Sequence, residues 1–141
     1  MDKEMIVNLI NEAFEAARMS YAPYSGFNVG AALLTKSGKI FRGCNIENGA
    51  FTPTNCGERT AIFKAVSEGE TEFAAICIVG GADVKNGVKP VDYTAPCGVC
   101  RQVMAEFCDP EEFLVILAKD VDDYQLYRLG ELLPHGFFLK K

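Results

Sequence analysis

The sequence lacks three features that mark large classes of protein. Its 14 lysine and arginine residues form no basic run, and the net charge of -5 gives no general attraction to a phosphate backbone, so no nucleic acid partner is expected. The longest apolar stretch, around 73–81, is far short of the roughly 20 residues that cross a bilayer, so no membrane partner is expected either. The first residues mix charged side chains into apolar positions, unlike a secretory signal or a transit peptide. We therefore expect a cytoplasmic protein with reduced thiols.

What the chain does contain is enough apolar material for one core, together with six cysteines. At 141 residues and 49% hydrophobic content it is too short for two ordinary domains, so a single domain over 1–141 is expected. Six cysteines would suggest disulfides in a small secreted chain. Because no export signal is visible and the core is ample, they indicate that some cysteines bind a metal or take part in catalysis.

Hydrophobic periodicity predicts helices that alternate with strands. Apolar residues at spacings of three and four mark the helices, and short apolar runs mark the strands. The predicted helices span 3–19, 56–68, 97–107 and 130–134, and the predicted strands span 27–34, 39–44, 74–80, 113–118 and 124–129. This order predicts an α/β fold with a mixed sheet flanked by helices, in which helical crossovers connect parallel strands.

Two cysteines lie at the start of the third predicted helix. Pro96 is followed by Cys97, Gly98, Val99 and Cys100, and at this spacing both sulfurs can reach one ion. The same pattern occurs in structural zinc sites, redox dithiols and catalytic zinc sites. Alone, it does not decide among these three.

A third cysteine opens the second predicted helix, in the segment Thr54-Asn55-Cys56-Gly57-Glu58-Arg59. Glu58 lies roughly 200° around that helix from Cys56, so it is not a second ligand by default. Three thiols then stand out as ligands, whereas zinc prefers four. The fourth position is free for water, which distinguishes a catalytic zinc site from a structural one.

Glu58 and Arg59 carry the chemistry that such a site needs. Hydrolysis at a zinc site requires a nucleophilic water and a group that moves protons from the water to the leaving group. Glu58 can take a proton from the water and deliver it to the leaving group. Three thiolates overcompensate Zn²⁺ by one negative charge, and a guanidinium of Arg59 that donates to the sulfurs would offset it.

Together these residues resemble the zinc-dependent cytidine deaminases of the short, three-cysteine type, over nearly the whole chain. Their signature is a metal ligand two residues before a glutamate, followed later by Pro-Cys-x-x-Cys. The resemblance implies a three-layer α/β/α sandwich with a mixed sheet of about five strands. It also implies one Zn²⁺ per subunit on Cys56, Cys97 and Cys100, with Glu58 as the catalytic residue. The implied reaction is deamination of cytidine and deoxycytidine to uridine and deoxyuridine, in pyrimidine salvage.

Two more segments resemble the substrate-binding stretches of that family. In the segment 43–48, Asn45 and Glu47 match the residues that bind the sugar hydroxyl. In the segment 24–30, Phe27 matches a residue that packs against the substrate. The resemblance therefore implies a nucleoside as the substrate.

The C-terminal segment carries a further implication of the resemblance. Leu132, Leu133 and Pro134 are followed by Phe137, which matches a residue that stacks on the base in a neighbouring subunit. A homotetramer with shared sites is implied. The chain departs from the family pattern at two positions, with Gly57 in place of the usual alanine and Phe51 in place of a common tyrosine.

Other interpretations stay open at the level of the sequence. The same zinc site would support deamination of a modified nucleoside or a free nucleobase, and the cysteines alone also fit a structural zinc or redox module without hydrolytic activity. The remaining cysteines, Cys44, Cys77 and Cys108, are interpreted as buried inert thiols. His135, the single histidine, is interpreted as a surface residue.

Overall fold

The computed structural model describes residues 1–141, and its helices and strands follow the predicted order. In chain order these are α1 (Lys3–Ala17), β1 (Phe27–Thr35), β2 (Ile40–Cys44), α2 (Gly57–Ser67), β3 (Phe73–Ala82), a short 3₁₀ turn (Val84–Asn86), α3 (Gly98–Phe107), β4 (Leu114–Asp120), β5 (Asp123–Arg128) and α4 (Leu129–Leu132). Every predicted helix and strand is present. Only the 3₁₀ turn lies in a segment that the sequence predicts to be irregular.

The five strands form one mixed sheet in the order β2-β1-β3-β4-β5. β3 and β4 are parallel and are connected through α3, whereas β1 is antiparallel to both of its neighbours and β4 is antiparallel to β5. Because β2 and β3 both run antiparallel to β1, the helical crossover α2 also connects two strands of the same direction. The predicted mixed sheet of about five strands is confirmed.

Helices cover both faces of the sheet, which gives the predicted three layers. Side chains of β1 and β3 alternate between two separate cores, as the pleat of a strand requires. One core packs α1 against residues such as Ala32, Leu34 and Val79, and the other packs α2 and α3 against residues such as Leu33, Ile76 and Ile78. The helices that carry the predicted ligands therefore share one face.

Two glycines allow helices to lie unusually close to the sheet. A Cβ atom at Gly30 would lie 2.0 Å from the carbonyl oxygen of Ala13 in α1, and one at Gly43 would lie 2.3 Å from the carbonyl oxygen of Gly57 in α2. No side chain fits at either position. Gly43 thus fixes the separation between β2 and the first turn of α2, where the candidate site begins.

The third strand is longer than predicted at both ends. Beyond the predicted end at Gly80, Gly81 and Ala82 also pair with β1 in the sheet. Glycine is required at Gly80 because a Cβ there would lie 2.7 Å from the Thr94 hydroxyl. The loop 83–95 therefore packs closely against the end of β3.

The three cysteines outside the candidate site differ in burial. Cys77 and Cys108 are buried as predicted, but the prediction for Cys44 is wrong, since it lies half-buried at the end of an edge strand. His135 is exposed, as predicted, with a backbone φ of 55°. None of the helices combines the length and apolar character needed to cross a membrane.

Candidate active site

The three predicted cysteine ligands come together at the N-termini of α2 and α3. Cys56 is the N-cap residue of α2 and Cys97 is the N-cap residue of α3, each with an extended backbone. The sulfurs of Cys56 and Cys97 are 3.8 Å apart, and those of Cys97 and Cys100 are 3.4 Å apart. All three sulfurs lie within 4.8 Å of one another, and no fourth cysteine, histidine, aspartate or glutamate belongs to the cluster.

Local contacts hold each helix start in place. Asn55, just before Cys56, pairs with Ile46 through two backbone hydrogen bonds of 2.9 Å. At the other helix, the Cys97 sulfur accepts a hydrogen bond from the Cys100 backbone N–H, and Arg101 Nε donates to the Pro96 carbonyl at 2.7 Å. Because both helices pack on the same face of the sheet, their first turns converge.

The donor set fits a zinc ion. A tetrahedral zinc with sulfur ligands at about 2.3 Å places those sulfurs roughly 3.8 Å apart, close to the observed spacings. All the cysteines are free thiols, so none is lost to a disulfide. The helix N-termini also favour the thiolate form that binds metal. The prediction that Cys56, Cys97 and Cys100 can hold a metal is therefore confirmed.

Glu58 lies in the first turn of α2 and is only 4% exposed. Burial is the main cause that raises the pKa of its carboxyl to about 7, and the nearby Cys56 thiolate adds to the effect. It lines a cavity of about 190 Å³ together with Cys56, Cys97, Asn45, Thr54 and Thr94. The Glu58 carboxyl and two of the three thiols, those of Cys56 and Cys97, therefore face one small cavity.

Arg59 lies beside the cluster, where the sequence suggested it. Its Nη2 donates to the Cys56 sulfur at 3.2 Å, which raises the pKa of the guanidinium further above its ordinary value. The buried Nε of Arg59 has no hydrogen-bond partner. Hydrogen bonding from Cys100, and then from Arg59, lowers the pKa of Cys56. A fixed positive charge thus stands against one of the sulfurs.

Asn45 borders the same cavity, and most of its hydrogen-bonding capacity is used inside the protein. Its Oδ1 accepts from the Val29 backbone N–H at 2.9 Å and from the Ser20 hydroxyl at 2.5 Å. Its Nδ2 donates to the Phe27 carbonyl at 2.8 Å. One N–H of the amide remains for another partner.

Glu47 lies in a neighbouring cavity of about 450 Å³, which shares Thr54 with the first one. Its Oε1 accepts from the backbone N–H groups of Tyr24 and Ser25 at 3.0 and 3.1 Å, and its Oε2 accepts from the Ser25 hydroxyl. The hydrogen bond from Ser25 is the main cause that lowers the pKa of Glu47. Glu47 is therefore an ionised acceptor at neutral pH.

The two predicted aromatic contacts, Phe27 and Phe137, lie outside the lining of the small cavity. Phe27 is 41% exposed at the start of β1, and Phe137 is 67% exposed in the C-terminal tail. Neither ring lines the cavity that holds Glu58. The Phe137 carbonyl accepts from Gln102 Nε2 at 2.9 Å, which ties the tail to α3.

Sequence reasoning missed several residues that shape the site. Thr54, Asn55, Thr94 and Ala95 line the small cavity, and Arg101 orients the start of α3. The first four lie within three residues of a ligand cysteine in the sequence, which is the one signal that could have indicated them. Nothing in the sequence marks Arg101, since its contact depends on how α3 packs.

Comparisons with known proteins agree with this geometry. The family model for the cytidine and deoxycytidylate deaminase zinc-binding region matches residues 3–116. The cytidine deaminase of Halalkalibacterium halodurans is 50% identical over 97% of this chain and 95% of that protein. The cytidine deaminase of Sporosarcina psychrophila is 46% identical over 94% of this chain and 90% of that protein.

Solved structures give the same result. A crystal structure of cytidine deaminase from Burkholderia pseudomallei matches with a TM-score of 0.81 and 45% identity, covering 92% of this chain and 97% of that one. The converging helix starts, the three thiols and the buried glutamate thus occur in a fold shared with these enzymes. On the match of the family model and the extent of these identities, the chain belongs to the cytidine and deoxycytidylate deaminase family.

Proposed function

We propose that this chain hydrolyses the exocyclic amine of cytidine and deoxycytidine, so that nucleoside and water give uridine or deoxyuridine and ammonia. The observation that carries the proposal is that Glu58, 4% exposed, shares one cavity with Cys56 and Cys97 of the thiol cluster. The names of the relatives support the choice of substrate. The reaction would place the enzyme in pyrimidine salvage.

The ligand set supports a catalytic rather than a structural metal. Cys56, Cys97 and Cys100 would hold one Zn²⁺ per subunit, and the cluster contains no fourth protein ligand. When bound at such a site, Zn²⁺ acts as a Lewis acid that makes water nucleophilic near neutral pH. Arg59 would offset the excess negative charge of three thiolates through its contact with Cys56.

Glu58 would move the protons. Burial makes its carboxylate a stronger base than an exposed glutamate, which favours uptake of a proton from the attacking water. The protonated carboxyl then donates to the ring nitrogen beside the reacting carbon. The second proton of the water goes to the amine by the same route, and ammonia leaves as the carbonyl forms.

The sugar would be bound by Asn45 and Glu47. Asn45 offers one N–H donor and Glu47 offers carboxylate acceptors, which together suit a hydroxyl group, since a hydroxyl both accepts and donates. The ring hydroxyl common to ribose and deoxyribose is the one at C3′. Phe27, exposed at the start of β1, would supply an apolar contact to the substrate.

We further propose a homotetramer in which Phe137 reaches a neighbouring site. Phe137, Phe138 and Leu139 are 67%, 52% and 74% exposed, and such an apolar tail favours cover by another chain. Mixing the variants Phe137→Ala and Glu58→Gln, each of which should have reduced activity, tests the sharing of sites. Hybrid assemblies would contain some sites with an intact Glu58 and an intact Phe137, so the mixture should be more active than either variant alone. Unchanged activity after proven subunit exchange would contradict shared sites.

The compartment we propose is the cytoplasm, because the three metal-binding thiols need reducing conditions.

The experiment that tests the function itself combines zinc analysis with ultraviolet turnover assays on cytidine, deoxycytidine and cytosine in parallel, and with measurement of released ammonia. We expect about one zinc per chain and turnover of both nucleosides. Turnover of cytosine alone would transfer the proposal to the free nucleobase, and zinc without any turnover would favour a structural metal.

A further inference from the structure

Ser20 and Asn28 form a buried chain of hydrogen bonds that ends on the amide of Asn45. Ser20 is 1% exposed and Asn28 is 8% exposed. Asn28 Nδ2 donates to the Ser20 hydroxyl at 3.1 Å, and that hydroxyl donates to Asn45 Oδ1 at 2.5 Å. Since the Asn28 N–H can only donate, the single proton of the Ser20 hydroxyl is directed to Asn45.

The backbone around Ser20 is tied to the segment that carries the sugar-binding candidates. Its carbonyl accepts from Lys85 Nζ at 2.8 Å. The next residue, Tyr21, donates its N–H to the Asn45 carbonyl at 3.0 Å and accepts from the Glu47 N–H at 2.8 Å. The position of the Ser20 hydroxyl relative to Asn45 is thus set by main-chain contacts on both sides.

This arrangement determines what Asn45 can offer a substrate. One lone pair of its Oδ1 is taken by the Val29 N–H and the other by the Ser20 hydroxyl. The Phe27 carbonyl takes one proton of Nδ2. Asn45 therefore faces a ligand only as a donor, while the ionised Glu47, which lines the neighbouring cavity, is only an acceptor.

We propose that Ser20 and Asn28 are positioning residues that hold Asn45 as a hydrogen-bond donor to the sugar hydroxyl of the nucleoside. The inference rests on the proposed function of Asn45. Neither residue touches the cavity that holds Glu58. Their effect should therefore be confined to substrate binding through the hydroxyl and should leave the chemical step unchanged.

The test is Ser20→Ala, assayed on cytidine and on 3′-deoxycytidine, which lacks the hydroxyl in question. With the loss of one hydrogen bond to Asn45 we expect KM for cytidine to rise about fivefold, with kcat within about twofold of wild type. For 3′-deoxycytidine, KM should be unchanged relative to wild type. A merely structural role would change both substrates to the same extent.

A matched control removes a buried hydroxyl far from Asn45, at the C-terminal end of β1. Thr35 is 1% exposed at the end of β1, and its hydroxyl accepts from the Lys39 N–H at 2.9 Å. Thr35→Val should lower the unfolding temperature without changing the ratio of the two KM values. Asn28→Ala gives a second variant in case Ser20→Ala fails to fold, and it should change the ratio in the same direction by a smaller factor.

The outcomes separate this inference from the function on which it rests. Equal KM changes for both substrates in each folded variant, or no change for either, would overturn the positioning role. The proposed function would still stand if the wild-type protein deaminated cytidine. A wild-type protein that binds zinc but does not deaminate cytidine would overturn the proposed function, and this inference with it.

Discussion

Arg59 directs its Nη2 at the Cys56 sulfur from a distance of 3.2 Å, one helical turn along α2 from that cysteine. The contact brings a permanent positive charge to a cluster of three thiols that would be anionic when they hold a metal. Because Arg59 is in the same turn as Glu58, a single helix start would supply a ligand, the proposed proton carrier and a compensating charge.

Arg59→Lys should retain zinc but turn over more slowly. A lysine ammonium on a flexible stem cannot reproduce the planar guanidinium donor at the sulfur, so we expect kcat to fall about tenfold while the zinc content stays near one per chain. Steady-state kinetics with metal analysis of the same samples checks this. Arg18→Lys, at an arginine that is 67% exposed, serves as the control, and equal kinetics for the two variants would contradict the role given to Arg59.

Metal removal should destabilise the fold. A ligand that joins the starts of α2 and α3 stabilises only the folded chain, and zinc at about 100 times its dissociation constant contributes about 2.7 kcal/mol. Treatment with a chelator should then lower the unfolding temperature by at least about 5 °C. Zinc should restore it, whereas Mg²⁺, which prefers oxygen ligands, should not. An unfolding temperature that does not respond to the chelator would argue against zinc at these thiols.

Glu47→Gln should change how stability depends on pH. Since hydrogen bonds lower the pKa of Glu47 in the folded state, its contribution is fully present above the unfolded pKa of about 4.3 and is lost as pH falls through the lower folded value. The difference in urea midpoint between wild type and variant should be constant above about pH 5.5 and should shrink below about pH 4. A difference in urea midpoint that grows on acidification would contradict the predicted loss of the Glu47 contribution at low pH.

Gly43→Ala should displace α2. The added Cβ would lie 2.3 and 2.4 Å from the Gly57 carbonyl oxygen and the Ala61 nitrogen, both of them backbone atoms that cannot move alone. We expect a loss of about 2–3 kcal/mol in the free energy of unfolding, together with reduced activity, because this helix carries Glu58.

Gly98→Ala is the matched control for that experiment. A Cβ at Gly98 would meet nothing within 4 Å, and alanine is the better helix former, so stability should be unchanged or slightly higher. Urea unfolding of both variants measures the difference. Equal stabilities would show that the close approach of α2 to Gly43 does not limit the fold.

The sequence predicted the ligand cluster well because its elements are local. Each cysteine stands at a recognisable helix start, and the apolar periodicity of α1, α2 and α3 assigns the faces that these helices bury. Order along the chain then determines which strands are parallel. From these features a mixed sheet flanked by helices follows without knowledge of the structure, whereas the three layers and one zinc ion on Cys56, Cys97 and Cys100 were implied by the resemblance to the family.

The contacts that the sequence did not predict depend on tertiary packing. Gly80 lies in a strand as predicted, but no sequence pattern relates it to Thr94, which lies fourteen residues away and packs against it. The chain from Asn28 through Ser20 to Asn45 joins three separate segments, and no spacing rule relates them. Whether Asn45 is a donor or an acceptor toward a ligand could be read only from these contacts.

The most direct measurement combines zinc content and cytidine turnover in Glu58→Gln. The substitution keeps the size of the buried side chain and leaves all three cysteines in place, so we expect about one zinc per chain and a kcat lower by about a thousandfold. Glu68→Gln, at the exposed C-terminal end of the same helix, should match wild type in both respects. A zinc-loaded Glu58→Gln variant that deaminates cytidine at the wild-type rate would contradict the central claim.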